Sequence, residues 1–414
     1  MTSQKFTQGS DCMKAIPRNW LVCGGAMLLM FISTGLVVNT LTVYLPYLLT
    51  EYGLSNAEGS MINTIRCMAS LAAMPFVARY YRTFGLFRGA GLAILLAAGS
   101  YGLFGMARTF SGFALAAAAA GVAYSLGGIV AATIAIDQWF STRKGTAMGI
   151  CSAGSGLSAI FMPPILTRFL ETRGVSYTFY AEAGLMILLG IPVLMTFHQQ
   201  PPAILTGGEE PSSQRSAASS GRMTRGYFWA MLLAMACIGA VGGPGYSHQA
   251  VLFSGGGYDS MTIAYAISLN GLLLLVFKCC FGMISDKIGA YRTNFLFGGA
   301  LIAGFALCCC TALGHPFILF AAQLFLGIGW SICTVGLPVW ADDLASPEQH
   351  AKTVQDFQTA YSIGALVFSP LPGLLADFTG SYVPSYLLFT AQTVLILGIL
   401  QRTYRHCAGK EVAL

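Results

Sequence analysis

Charged residues are scarce in this chain. Asp, Glu, Lys and Arg make up 9% of its 414 residues, whereas a soluble domain carries about 25%. Hydrophobic residues make up 55%, so most of the chain cannot face water. The composition excludes an ordinary soluble protein and indicates an all-α membrane protein, because an isolated apolar segment crosses a bilayer as a helix.

Patterns that would mark an enzyme or a cofactor site are missing as well. The sequence has no GxxxxGK[ST] nucleotide loop, no CxxC or Cys/His ligand spacing among its 12 cysteines, and no cluster of His, Asp or Glu at a catalytic spacing. We therefore expect neither an enzyme nor an ATP-driven pump, and no cofactor or metal. The net charge of +6 lies in loops and does not indicate a nucleic-acid partner.

Twelve apolar runs are long enough to span a membrane, which takes about 20 residues per helix. The first, fourth, seventh and tenth look longer than a membrane needs. The predicted spans are 20–48, 58–78, 89–107, 111–138, 146–168, 177–198, 227–253, 260–284, 294–313, 315–341, 354–376 and 383–401.

Basic residues predict the orientation of these spans. With both termini inside, 17 of the 22 Lys and Arg residues are cytoplasmic, two (Arg66 and Lys278) lie within spans, and only Arg108, Arg168 and Arg173 are outside. Cationic loops are retained in the cytoplasm. We therefore expect a multi-pass protein of the cell (plasma or inner) membrane with cytoplasmic N- and C-termini.

The chain repeats itself. Gly121-Val-Ala-Tyr-Ser returns 206 residues later as Gly327-Ile-Gly-Trp-Ser, and Gly85-Leu-Phe-Arg returns after 204 as Gly289-Ala-Tyr-Arg. A polar, low-complexity stretch separates the copies. We predict two pseudo-symmetric six-helix bundles, 1–198 and 226–414, joined by a cytoplasmic linker at 199–225, with a site near the midplane between them.

The second copy holds the segment Gly282-Met-Ile-Ser-Asp-Lys-Ile-Gly-Ala-Tyr-Arg292, which resembles a cytoplasmic loop signature of the major facilitator superfamily. The resemblance implies the major facilitator fold and a conformational latch formed by Asp286, Lys287 and Arg292, with Arg143 in the loop between spans 4 and 5. In the first copy Arg82 replaces the Asp, so a latch and a simple basic turn remain equal alternatives there.

Three segments also resemble the monocarboxylate porters, a group that includes the oxalate–formate exchangers: 42–55, 139–156 and the helix that ends at Asp286. Such transporters carry small carboxylates by proton symport or anion exchange. The resemblance implies a secondary active or facilitative transporter of small organic anions that works by alternating access, which we expect to function as a monomer. The alternative is an exporter of drugs or neutral solutes with the same fold.

Two cations lie inside predicted spans. A charge there costs about 2.5–3.5 kcal/mol on insertion scales, so it usually faces a wet cavity and has a function. Lys278 is eight residues before Asp286, at the spacing where oxalate–formate exchangers carry an Arg that binds the substrate carboxylate. Snorkelling is the alternative for Lys278, and a structural pair is the alternative for Arg66.

The remaining candidates for substrate binding are polar residues near these cations. Asn63 shares a polar helix face with Arg66, and Gln358 belongs to a polar stripe on span 11, where Tyr361 stands at a position that is Lys in oxalate–formate exchangers. Asn39, Tyr44 and His248 complete the set. For Tyr44 core packing is an equal alternative, and for His248 a hydrogen-bonded structural role is the alternative.

The sequence gives little support for proton coupling. Monocarboxylate carriers place an Asp one turn before the cation of their eighth span. In this chain the cation is Lys278, and the position one turn earlier is Leu274. Apart from Glu58 and Asp137 at the ends of spans, the predicted spans contain two carboxylates, Glu182 and Asp356. Because a titratable carboxylate is the usual proton carrier, exchange or facilitated transport is favoured.

Overall fold

The structure is a computed structural model, and it describes residues 18–140, 144–198, 223–345 and 350–407. These residues form helices and short turns, which confirms the all-α prediction. Eleven helical stretches are long and apolar enough to cross a membrane. One of them, Asn56–Met106, has 51 residues and would be about 76 Å long if straight, more than twice the ~30 Å hydrocarbon core.

Gly85 turns this long stretch back on itself. Its φ of 69° and ψ of 172° interrupt the helix, and glycine adopts such positive φ without a Cβ clash. The chain therefore crosses twice here, as predicted. Gly289 does the same in the second copy, with φ 82° and ψ 152°, so the repeated Gly-x-x-Arg pattern marks two equivalent turns.

The first six membrane-spanning helices are α1 (Arg18–Met30, a π-helical segment Phe31–Asn39, then Leu41–Glu51), α2 (56–84), α3 (86–106), α4 (Phe110–Gly127 and Ile129–Trp139), α5 (Lys144–Arg173) and α6 (Val175–Phe197). The next six are α7 (Arg225–Ser247 and Gln249–Gly255), α8 (Ser260–Ile288), α9 (Ala290–Cys309), α10 (Pro316–Gly329 and Ser331–Leu344), α11 (His350–Phe368 and Leu371–Thr379) and α12 (Val383–Cys407). We call the face where α1 begins the proximal face, and the face where it ends the distal face.

Helices α1, α4, α7 and α10 are those whose apolar runs looked too long. Each is interrupted: α1 by its π-helical segment, and the others at Gly128, His248 and Trp330. Interrupted membrane helices leave backbone groups unpaired, and they occur where helices line a cavity or a binding site. The extra length in the sequence therefore belongs to helix breaks rather than to loops.

Two hydrophobic cores hold the helices together. One consists of buried residues between Val22 and Phe197. The other is built from residues between Met231 and Tyr404, joined by Leu45 of α1. Large apolar side chains also cover the outside, with Phe378 87% exposed, as expected for a surface in contact with lipid. Of the predicted linker, 199–225, only the last three residues are among those described.

Candidate functional site

The polar side of α2 points into the protein. Ser60, Asn63, Arg66 and Ser70 are buried, whereas Met68 on the other side of the helix is 53% exposed. Residues three and four apart share a helix face, so these four side chains form one stripe. The polar stripe seen in the sequence therefore contacts other helices, while Met68 on the opposite side faces outward.

Arg66 is the buried cation of this stripe, with 5% of its surface exposed. Its Nε and Nη2 atoms donate to Asn63 Oδ1 at 3.3 and 2.6 Å, and Nη2 also donates to Cys67 Sγ at 3.5 Å. A guanidinium has five N–H donors, so two remain for another partner. Within the described ranges no carboxylate pairs with Arg66.

A repeated glycine positions each half of the site. A Cβ atom added to Gly121 of α4 would lie 2.2 Å from the carbonyl oxygen of Arg66, and one added to Gly327 of α10 would lie 2.7 Å from Leu273 Cβ in α8. Only glycine allows helix axes this close. The motif found in the sequence therefore packs α4 on α2 and α10 on α8 in the same way.

Lys278 lies on α8, on the side that faces α5. A Cβ added to Gly271 would lie 2.9 Å from Ala159 Cβ, and one added to Gly156 would lie 2.9 Å from Leu275. Lys278 follows Leu275 on the same helix face. Its side chain is half-buried and has neither a hydrogen bond nor an ion pair with any residue that the structure describes.

Tyr361 lies where the two cores approach each other. Its hydroxyl would be 3.3 Å from a Cβ on Gly242 of α7, and it lies within electrostatic range of Cys67 in α2 and Tyr124 in α4. Arg66 in turn lies within electrostatic range of Tyr124. The structure thus brings Tyr361 into the same region as the predicted cation of α2. Gln358, one turn earlier in α11, is exposed.

The candidates on α1 contact other helices of the first core. The hydroxyl of Tyr44 donates to Glu182 Oε2 at 2.7 Å, and its ring stacks on Phe179 with the centroids 4.0 Å apart. Asn39 Nδ2 donates to the carbonyl oxygen of Ser155 at 3.0 Å. Tyr44 is fully buried, so a ligand would reach it only after these contacts change.

His248 lies at the break in α7 and is fully buried. Its Nε2 is 2.7 Å from the hydroxyl of Ser60 in α2, and its Nδ1 is 2.9 Å from the Pro244 carbonyl oxygen. Both ring nitrogens therefore have partners. Asn63 Nδ2 bridges the same gap, donating to Ser247 and Ser369 hydroxyls at 3.4 and 3.3 Å.

Closer to the distal face, α11 closes over the start of α2. Asp377 Oδ1 accepts from the backbone N and the Nδ2 of Asn56 at 3.0 and 2.8 Å, and its Oδ2 accepts from Ala57 N at 2.8 Å. Tyr382 donates to Asn56 Oδ1 at 2.9 Å. Together with the Ser60–His248 contact, these residues form what we call the distal seal.

The predicted latch lies at the proximal end of α8. Asp286 and Lys287 belong to the last turn of the helix, and Arg292 to the first turn of α9 beyond Gly289. Lys287 and Arg292 are exposed. Arg143 lies outside the described residues, so the latch stays a prediction.

Sequence reasoning overlooked the distal seal. The capping box Ser55–Glu58 signals where α2 begins, but no local pattern indicates that Asp377, about 320 residues away, caps the same helix. Tyr101 was missed for the same reason. It lies on α3, and its hydroxyl is 3.1 Å from that of Thr40 on α1.

Known proteins similar to this chain are membrane transporters. A family model of the Major Facilitator Superfamily matches residues 27–368 and 257–406. MFS-type transporter hasB of Aspergillus fumigatus is 27% identical over 72% of this chain and 67% of its own length. The oxalate:formate antiporter of Oxalobacter formigenes is 25% identical over 44% and 42%. Monocarboxylate transporter 13 of Bos taurus is 23% identical over 64% and 61%.

Solved structures have the same fold. The nucleoside transporter NupG superposes with a TM-score of 0.75 at 13% identity, covering 94% of this chain and all of the other. The predicted resemblance to the superfamily and to its monocarboxylate and oxalate–formate members is therefore confirmed. Because the family model spans most of the sequence and the fold agrees, this chain belongs to the major facilitator superfamily, and is a multi-pass membrane transporter rather than an enzyme.

Proposed function

We propose that the protein is a secondary transporter of small organic anions of the monocarboxylate type. The observation that carries this proposal is the pair of cations Arg66 and Lys278, one on each side of the gap between the two cores. Neither has a carboxylate partner among the residues described. The names of two relatives, an oxalate:formate antiporter and a monocarboxylate transporter, support the same substrate class.

A bound anion would explain why two cations, Arg66 and Lys278, lie buried or half-buried in the protein. Removing a cation from water without a counter-charge is unfavourable by several kcal/mol. A carboxylate bound between Arg66 and Lys278 would supply that counter-charge. Two guanidinium donors of Arg66 remain available for it, and a charge-assisted hydrogen bond is about twice as strong as a neutral one.

The two cations differ in depth. At 1.5 Å per residue, Arg66 is about 15 Å from the distal end of α2, whereas Lys278 is about 15 Å from the proximal end of α8. An anion that enters from the proximal face would therefore meet Lys278 first. Both long side chains would then extend toward each other to hold it.

The distal seal supports a mechanism of alternating access. In this conformation α2, α7 and α11 are joined near the distal face, so entry would occur from the proximal side. The excess of Lys and Arg in the proximal loops makes that side cytoplasmic in our proposal, in the cell membrane. Opening would separate two bundles, 1–198 and 226–414, and break the contacts of Asp377 and His248.

Uptake of labelled carboxylates into proteoliposomes tests the proposal. We expect a monocarboxylate such as lactate or formate to be taken up, and Lys278→Gln or Arg66→Gln to lower uptake at least about tenfold, equivalent to about 1.4 kcal/mol. Lys278→Arg, which keeps the charge, should retain part of the activity. Lys352→Gln provides the matched control, since this cation is exposed in the first turn of α11.

Full uptake by both Gln variants would contradict the proposal. Transport of lipophilic cations or neutral solutes that is unaffected by Lys278→Gln would favour the alternative, an exporter of the same fold. Thermal stabilisation of the purified protein by carboxylates but not by sugars gives an independent measure, because a ligand that binds the folded state raises its apparent stability.

A further inference from the structure

A cavity of about 220 Å³ lies between the two cores near the distal face. The first half of the chain lines it with residues of α1 and α5, among them Tyr47 and Thr167, and the second half with residues of α7 and α8, among them Ile267. At 1.5 Å per residue, Tyr47 is about 6 Å from the distal end of α1, and Ile267 is about 10 Å from that of α8. We call this space the distal cavity. Because Arg66 and Lys278 do not line it, it is separate from the proposed anion site.

The distal cavity begins where the close packing of α5 on α8 ends. Gly271 brings the two helices together, since a Cβ there would lie 2.9 Å from Ala159 Cβ. One and two turns closer to the distal face, α8 carries Ile267 and Ile263, and both line the cavity. Small residues let helices approach closely, whereas these larger side chains hold the helix axes apart. A space therefore remains between the distal ends of the two helices.

Tyr47 gives the distal cavity a polar group. Its hydroxyl is buried and has no hydrogen-bond partner of good geometry among the described residues, although Ser260 of α8 lies close to it. A buried polar group without a partner is unfavourable. Most of the other walls are apolar, such as Val43 and Ala264, and none of the described residues that line the cavity is charged. The cavity therefore suits a molecule that has an apolar body and one hydrogen-bonding group.

Two exposed acids lie beside the distal cavity, Glu171 of α5 and Asp259 at the start of α8. Both lie within electrostatic range of the Tyr47 hydroxyl. Arg173, at the same end of α5, is directed to α6, where its guanidinium carbon lies 5.7 Å from the centre of the Tyr177 ring. The two acids favour a cationic ligand over an anionic one. The preference is modest, because solvent screens exposed charges.

We propose that the distal cavity is a second ligand site, which binds a small protonated amine carried on an apolar ring. The ring lies beside Ile267, and the ammonium group donates a hydrogen bond to the Tyr47 hydroxyl, with Glu171 and Asp259 nearby. A cavity of about 150 Å³ holds benzene, so about 220 Å³ admits one ring with a short side chain. This inference does not depend on which solute the protein transports, because the cavity shares no residue with the anion site.

Equilibrium binding of two ligands of the same shape tests the role of charge. Phenethylamine is protonated near neutral pH, whereas phenethyl alcohol is uncharged. We expect the purified protein to bind the amine at least about threefold more tightly, because exposed charge pairs contribute modestly. Asp259→Asn combined with Glu171→Gln should remove this preference, and Asn still caps α8 as Asp does. An amine that binds no more tightly than the alcohol, or a preference that survives in the double variant, would overturn the proposal.

Two further variants test where the amine binds. Tyr47→Phe removes only the hydroxyl, so it should weaken amine binding at least about fivefold. The melting temperature of the unliganded variant should not fall, because this hydroxyl has no hydrogen bond to lose. Ala264→Leu fills the cavity and should abolish the binding of both ligands.

Tyr265→Phe is the matched control, because Tyr265 is 55% exposed on the outer side of α8. It should bind the amine as the wild type does. Amine affinity that is unchanged in Tyr47→Phe, or that falls equally in Tyr47→Phe and Tyr265→Phe, would refute the assignment of the site. Either result would leave the proposed anion transport untouched, since these experiments use no anion.

Discussion

Removing the carboxylate of Asp377 should open the distal side of the transporter. In the closed state this side chain accepts three hydrogen bonds, at 3.0, 2.8 and 2.8 Å, two of them from backbone N–H groups at the start of α2. It therefore acts as the N-terminal cap of a helix that belongs to the other core. In an open state those N–H groups would bond to water, so Asp377→Ala weakens the closed state selectively.

The size of the effect follows from these contacts. Loss of a helix N-cap costs about 0.5–2 kcal/mol, and loss of a negative charge near the positive end of a helix costs about 0.3–1 kcal/mol. Asp377 is exposed, so values near the middle apply. A total of about 2 kcal/mol shifts the ratio of closed to open molecules about 30-fold.

Distances between spin labels at the distal ends of α1 and α7, at Glu51 and Ser254, would report the shift. We expect Asp377→Ala to increase the fraction of long distances. Asp259→Ala is a matched control, because Asp259 is another exposed N-cap, which accepts from Met261 N and Thr262 N at 3.1 and 3.2 Å within its own helix. An unchanged distribution in Asp377→Ala, or an equal shift in both variants, would refute the assignment of Asp377 to the seal.

Two glycine substitutions test how the helices are placed. Gly121→Ala puts a Cβ 2.2 Å from the Arg66 carbonyl oxygen, so α4 must move away from α2. We expect this variant to lose about 1–3 kcal/mol of stability and to bind the anion more weakly. Gly102→Ala, whose Cβ would meet no atom within 4 Å, is the control. Gly289→Ala forces a side chain into φ 82° and should cost about 1–2 kcal/mol, whereas Gly398→Ala in α12 should be neutral or slightly stabilising. Thermal unfolding in detergent measures both pairs, and equal melting temperatures within a pair would contradict the argument.

The repeated sequence motifs predicted those parts of the fold that depend on local backbone geometry. Gly85 and Gly289 were paired from sequence, and both adopt the positive φ of a sharp turn. Gly121 and Gly327 were paired too, and both allow a close helix contact. Such positions can be recognised because glycine is required by the residue's own conformation or by a single neighbouring helix.

Contacts between distant segments could not be predicted in this way. Tyr44 was predicted to bind substrate, with core packing as the alternative, and the structure places its hydroxyl against Glu182, 138 residues away. His248 was predicted as a ligand-binding residue, and the structure places it against Ser60, 188 residues away. A helix face with polar residues indicates that something polar lies opposite, whereas only the three-dimensional arrangement specifies which residue it is.

Asn63 links the proposed anion site to the contacts that close the distal side. Its Oδ1 accepts two hydrogen bonds from Arg66, while its Nδ2 donates across the gap to Ser247 and Ser369. A ligand can shift a conformational equilibrium only if it interacts differently with the two states. A carboxylate that draws the guanidinium away from Asn63 would change the partners of a residue that also joins α2 to α7 and α11. In the proposed transporter, the free energy of anion binding would therefore act directly on a contact that has to break for the distal side to open.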